Sequence, residues 1–298
     1  MARRALSMMR IEGRTAIITG ASSGIGQAAA RELAGQQVNV VLASRSRDKL
    51  EALALDLVAL PGRTLVVPTD VTDRLAVEAL VRKTAEEFGG VDILVNNAGS
   101  GLFAPIAGGN PENMRRLFDV NFWGAINCIQ ATVPYMRTQR AGHIVNVASL
   151  AAKVSPPYMG IYSATKFALS AVSDALRSEL AGSGIGVSTI YPGLTSTSFM
   201  ENMTQELEVP SLPPVARFVD ASVVGHRISQ AIRFGFRDAY ISPEDIAAVA
   251  LNTVAPQIVD WTMRVFMGRP PALDVPEIEL PRSGLRRREA DAEPSEPA

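Results

Sequence analysis

The sequence predicts an α/β fold, a single domain built on a doubly wound parallel sheet of about seven strands flanked by helices. Three observations predict it. Short apolar runs alternate with longer helical patterns over most of the chain, as crossovers between parallel strands require. A glycine-rich turn, Gly20 to Gly26, joins the first apolar run to the first helical pattern. The 298 residues, 47% hydrophobic and 20% charged, suffice for one large core.

Taken in order, the expected strands are Thr15–Thr19, Val38–Ala43, Thr64–Val67, Asp92–Val95, His143–Val147, Val187–Ile190 and Ala239–Ile241. Each is rich in β-branched or apolar residues and most are bounded by Gly, Asn, Asp or Ser. Helical spacing of apolar residues marks Ile25–Ala34, Asp48–Val58, Arg74–Phe88, Glu112–Thr138, Tyr162–Ala181 and Ala221–Arg233. Residues 195–219 break the alternation. They hold Phe199, Met200, Met203, Leu207 and the run Pro210–Pro214, too long and apolar for a turn, and read as a substrate loop or lid.

The domain spans residues 11–269, preceded by a basic extension, 1–10, that lacks the apolar stretch of a signal peptide. Residues 270–298 are rich in Pro, Arg and Glu and read as a disordered tail. Within it, Arg286–Arg288 is followed by Glu289, Asp291 and Glu293, a solvated charge run. Ile246–Met267 comes nearest to a membrane span, but Asn252, Pro256, Asp260 and Arg264 interrupt it. It reads as amphipathic helix broken near Pro256, better suited to core or subunit packing than to membrane association.

A formal net charge of -1 gives no general attraction to nucleic acid or anionic membranes. The single cysteine, Cys128, excludes an intramolecular disulfide and reads as core. The two histidines, His143 and His226, stand apart from any metal-ligand cluster, so no metal is expected. The expected location is cytoplasmic.

Gly20, Gly24 and Gly26 lie between a strand and a helix. That is the setting in which glycine permits a tight turn and lets a pyrophosphate approach the backbone. The amides around Ser22, Ser23, Ile25 and Gly26 then face the anion at a helix N-terminus. The second strand ends in Ser44 and Arg45, with no carboxylate to hold a ribose 2′-hydroxyl. Ser44 can donate and Arg45 can pair with a 2′-phosphate, so NADP(H) is expected over NAD(H), which stays open as the second choice. Asp70, followed by Val71, can accept from an adenine amino group, and Asn97, Ala98 and Gly99 offer small residues at the end of the fourth strand.

Tyr162 and Lys166, at i and i+4, share a helix face. There the ammonium is expected to lower the phenol's pKa and make it a usable general acid or base.

With these pieces in order, together with Asn121, Ser149 and Pro192-Gly193, the chain resembles the short-chain dehydrogenase/reductase family over about residues 11 to 245. The resemblance implies a Rossmann-like sheet and an oxidoreductase acting on a carbonyl/alcohol pair. Tyr162 would be the general acid/base, Lys166 would tune it and hold the nicotinamide ribose, and Ser149 would polarise the substrate carbonyl. Asn121 would position a water, Thr19 and Asn97 would support the cofactor loop, and Pro192, Gly193, Thr195 and Thr197 would flank the nicotinamide. It also implies a homodimer or homotetramer through the helices at Glu112–Thr138 and Tyr162–Ala181. Phe103, Leu150, Val154, Tyr158, Met159, Phe199 and Met200 flank the motifs and suit a bulky hydrophobic ketone or secondary alcohol, a small-molecule substrate, over a charged sugar. The competing readings are a β-ketoacyl carrier-protein reductase, with Arg115 and Arg116 as the basic patch, and a non-catalytic NADPH sensor.

Overall fold

A computed structural model describes residues 9–209 and 217–267. Seven strands form one sheet: β1 (Thr15–Thr19), β2 (Asn39–Ala43), β3 (Thr64–Val66), β4 (Ile93–Asn96), β5 (Gly142–Val147), β6 (Ile185–Tyr191) and β7 (Asp238–Tyr240). They lie in the order β3-β2-β1-β4-β5-β6-β7, and every pairing is parallel. Ile17 sits level with Val41 on one side and Leu94 on the other.

The helices are α1 (Gly24–Gly35), α2 (Arg47–Leu57), α3 (Arg74–Phe88), α4 (Pro111–Phe118), α5 (Gly124–Gln139), α6 (Gly160–Glu179), α7 (Ala221–Phe234), α8 (Pro243–Val254) and α9 (Pro256–Met267). Side chains alternate across the sheet and so feed two cores. Ala16 and Ile18 meet α1, α2 and α7 through Leu33, Leu50 and Ile228. Ile17 and Leu94 meet α3, α5 and α6 through Leu80, Ile129 and Leu176. Coverage on both faces is why these strands read as continuous apolar runs.

Two expected segments carry detail the pattern did not show. The helix expected over Glu112–Thr138 is present and unbroken, with a π-helical turn, Asp119–Trp123, between α4 and α5. Gly124 then packs so tightly on Val71 that a Cβ would stand 2.5 Å from its Cγ2. Short ladders tie down the segment expected as a loop or lid. Thr195–Ser196 pairs with Val219–Asp220, and Thr204–Gln205 pairs with Leu102–Phe103. Both ladders join residues far apart in sequence, so local pattern carries no sign of them. Residues 210–216, the tail 270–298 and most of the extension 1–10 lie outside the described residues. Met9 is inside them and donates to the Arg233 carbonyl at 2.8 Å. The break at Pro256 falls where expected. No helix among the described residues is long and apolar enough to cross a membrane.

Candidate active site

The C-terminal ends of β1, β2, β4, β5 and β6 deliver Gly20, Ser44, Asn97, Ser149 and Pro192 to one edge of the sheet, where open α/β sheets hold their ligands. Thr19 and Asn97 tie the first and fourth ends together. The Thr19 hydroxyl accepts from the amides of Asn97 and Ala98, both at 3.0 Å. The Asn97 amide donates to the carbonyls of Thr19 at 3.0 Å and Gly20 at 3.2 Å. Its side chain is thus a brace for the glycine turn. Gly26 is the tightest point: a Cβ there would run into the Gly20 carbonyl and stand 2.5 Å from Asn97 Nδ2. Gly24 has φ +52, and Thr197 Cγ2 would lie 2.9 Å from its Cβ, so the lid stands over the turn.

Ser23 precedes α1 in extended backbone and makes no side-chain cap. By contrast, α3, α4, α7 and α8 are capped by Asp73, Asn110, Asp220 and Ser242. An uncapped helix start behind a cradle that a Cβ would fill suits a pyrophosphate, so these residues fit a dinucleotide.

At the far end of that groove, Ser44 Oγ accepts from the Ser46 amide at 3.2 Å and Arg45 is exposed. Partial burial opposes ionisation of Asp70. Bonds from the Thr72 amide and hydroxyl, with the charges of Arg45 and Arg116, outweigh it and hold the carboxyl below its ordinary range. Arg115 instead faces Glu112 at 3.5 Å, so the expected pair of basic residues serves two different groups. Val71 turns its side chain into the core and its carbonyl to Asn127 Nδ2 at 3.0 Å.

Two of the four residues expected to carry the chemistry, Asn121 and Lys166, flank Gly99. A Cβ on Gly99 would lie 3.2 Å from Asn121 Oδ1 and 3.5 Å from Lys166 Nζ. Asn121 sits in the π-helical turn with its side chain fully engaged. Oδ1 accepts from the Ser100 amide at 2.8 Å, and Nδ2 donates to the Ser100 carbonyl at 3.0 Å and to Thr165 Oγ1 at 3.1 Å. Thr165 was not singled out from sequence; its only signal is its place beside Lys166. Lys166 Nζ donates to the Val147 carbonyl at 3.0 Å and lies 5.9 Å from the Tyr162 ring centre. A buried polar chain seats α6 on the sheet: Asn96 Nδ2 to Asn146 Oδ1 at 2.9 Å, then Asn146 Nδ2 to Ser173 Oγ at 2.8 Å.

Burial sets the charges here, and it corrects the tuning expected from sequence. Desolvation pushes the Tyr162 phenol up to about 12, with the Ser149 hydroxyl acting in the opposite direction. Desolvation also brings the Lys166 ammonium down to about 8. Loss of solvent thus acts on the phenol against the lowering expected from the Lys166 ammonium. Ser149 Oγ accepts from the Ala151 amide at 3.1 Å and lies 3.5 Å from the Pro192 carbonyl.

Above Tyr162 the walls are apolar. The Phe199 ring is 5.5 Å from that of Tyr162, Phe103 and Tyr158 pair at 5.4 Å, and Leu102, Ala104, Leu117 and Ala151 complete the cluster. Glu206 latches the lid, accepting from the Asn110 amide at 2.9 Å and Asn113 Nδ2 at 2.7 Å. Nothing near Glu206 in sequence marks this role.

Residues 14–208 match the model of the short chain dehydrogenase family. The chain belongs to that family. It is an oxidoreductase of the kind that acts on CH–OH groups. It is 38% identical over 241 residues to the glycine betaine reductase ATRR of Emericella nidulans; that stretch is 79% of this chain and only 19% of the fungal protein. With the ketoacyl reductase HetN of Nostoc it shares 31% over 265 residues, 87% of this chain and 91% of HetN. A short-chain dehydrogenase from Burkholderia phymatum, solved with NAD, superposes with a TM-score of 0.76 at 28% identity, covering 89% of this chain and all of that one.

Proposed function

We propose that the protein interconverts a bulky hydrophobic ketone and its secondary alcohol using NADP(H), with Tyr162 as general acid/base. The observation that carries this reading is that Ser149 and Lys166 both meet Tyr162, whose ring packs against Phe199 of the apolar lid. When bound, the nicotinamide supplies or accepts the hydride. In reduction, Tyr162 Oη gives its proton to the carbonyl oxygen as hydride reaches the carbonyl carbon. Ser149 Oγ donates a second hydrogen bond to the same oxygen, stabilising charge where it develops. Lys166, cationic below about 8, offsets the phenolate left behind and keeps donors for a ribose. The side chain of Asn121 holds Ser100 and Thr165 in place.

The amides at the start of α1, with Ser22, Ser23 and Gly24, would hold the pyrophosphate, and Thr195 and Thr197 would meet the nicotinamide side. Arg45 supports NADP(H), because β2 ends without a carboxylate and Arg116 adds positive charge beside Asp70. The NAD-bound neighbour supports the other cofactor.

A second reading, ketoacyl reduction, is favoured by the likeness to HetN. NADPH and NADH oxidation should be followed against hydrophobic ketones, sugars and a ketoacyl thioester. Faster turnover of bulky ketones by NADPH is the expected result. Preference for the thioester would replace the first reading with the second, and preference for sugars would overturn the apolar pocket. Assembly through α4, α5 and α6 is supported by Trp123 and Phe167, large apolar side chains 54% and 44% exposed on those surfaces. Sedimentation of a monomer alone would remove it.

A further inference from the structure

The C-terminal helix pair lies beyond residue 208, where the family match ends, yet α8 touches both segments that bracket Ser149. Ser149 opens a 3-10 turn, Leu150–Ala152. One end of the turn hangs on β6, with the Leu150 amide donating to the Pro192 carbonyl at 2.8 Å. The other end hangs on α8: Asn252 Nδ2 donates to the Lys153 carbonyl at 2.9 Å. Between these anchors the turn closes on itself, with the Lys153 and Val154 amides donating to the Leu150 carbonyl at 2.9 and 3.0 Å.

The start of α8 is fixed independently. A reciprocal capping box joins Ser242 and Asp245, and Asp245 Oδ1 occupies the space 2.8 Å from where a Gly193 Cβ would be. Lys153 Nζ lies 4.6 Å above the Tyr191 ring, which stacks on Tyr240 at 5.0 Å, the last residue before α8 approaches. None of the side chains of α8 is buried in the chain, and Ile246 is 54% exposed. Core packing therefore does not hold this helix, and its polar ties carry more of the placement.

We propose that Asn252 is a positioning residue: its bond to the Lys153 carbonyl holds the turn that aims the Ser149 hydroxyl at the reacting oxygen. This rests on the reading of Ser149 given above. Without the bond, the turn keeps its anchor at Pro192 and loses the one at its far end. Ser149 then samples orientations that do not meet the substrate oxygen, and turnover falls while cofactor binding is untouched.

Asn252→Asp, nearly isosteric but without the donor, tests it in the full chain, with Asn252→Gln as the variant that keeps a donor. Hydrogen exchange of the Ala151–Val154 amides should quicken by about tenfold in Asn252→Asp, with the β5 amides unchanged. In the ketone assay kcat should fall by about three- to tenfold with the cofactor Kd unaltered, and Asn252→Gln should restore most of it. In a Ser149→Ala background the same substitution should have almost no further effect, because the two act through one group. Unchanged exchange overturns the brace whether or not any ketone is turned over. Faster exchange with the full loss of kcat repeated in Ser149→Ala also overturns the proposal, since it would mean Asn252 acts on stability and not through Ser149. A wild-type protein inactive on every ketone would defeat the proposed function instead, leaving the exchange result to decide the brace.

Discussion

The cofactor end and the substrate end of this site are built differently. Around the glycine turn the backbone is held by the side chains of Thr19 and Asn97 from adjacent strands. Around Tyr162 the contacts are side chain on side chain, under a lid joined to the body by two-residue ladders and one carboxylate. The first surface must fit one rigid group, so steric tolerance is low. The second must admit and release a substrate, so it is assembled from parts that separate at modest cost.

Removing the proposed proton donor should have the largest effect. Tyr162→Phe should lower kcat at least ~100-fold while NADPH still binds, and near-normal turnover would mean another group supplies the proton.

Lys166 sharpens the contrast through pH. Its folded pKa, about 8, lies below its ordinary value of 10.5, so the unfolded chain binds more protons between the two. Its contribution is complete above 10.5 and lost as pH falls through 8. Relative to Lys166→Met, wild type should gain about 2–3 kcal/mol of stability from pH 8 to 10, read by urea melts at each pH. Parallel curves would show that burial does not depress the ammonium.

Gly26→Ala tests the rigid end, where a Cβ meets the Gly20 carbonyl. A loss of about 1–3 kcal/mol with weakened dinucleotide binding is expected, and a stability unchanged to about 0.5 kcal/mol would show the turn yields.

At the outer rim of the same groove, Arg45→Ala should weaken NADPH by about tenfold and leave NADH nearly unchanged. Equal losses for both cofactors would remove the 2′-phosphate assignment.

The smallest effect belongs to the lid. Glu206→Ala should speed amide exchange at Thr204 and Glu206, which donate to Gly101 and Phe103, by a few-fold, on the order of 1 kcal/mol. If exchange there is unaltered, the two-residue ladder holds the lid without its latch.

The strands and most helices were legible because each is a local pattern: a β-branched run, a 3.6-residue stripe, a glycine where the chain must turn. The positions of Tyr162, Lys166 and Ser149 were legible for the same reason, as motifs with fixed spacing. The π-helical turn at Asn121 was not; its contacts, Asn121 with Thr165 and the adjoining Gly124 with Val71, are to residues far off in sequence. The i, i+4 spacing of Tyr162 and Lys166 reports a neighbour's charge and says nothing of burial, which raises the phenol.

By itself the sequence determined the sheet, the glycine cradle and the spacing of Tyr162 and Lys166, since local propensity and motif spacing need no distant partner. The tertiary structure alone decided which acids and amides do supporting work. Glu206 finds Asn110, Asn252 finds Lys153, and Asp245 fills the space over Gly193, all between segments far apart in the chain. It also set the burial that raises the Tyr162 phenol and lowers the Lys166 ammonium, because desolvation depends on everything packed around a group and on nothing in its own stretch of sequence.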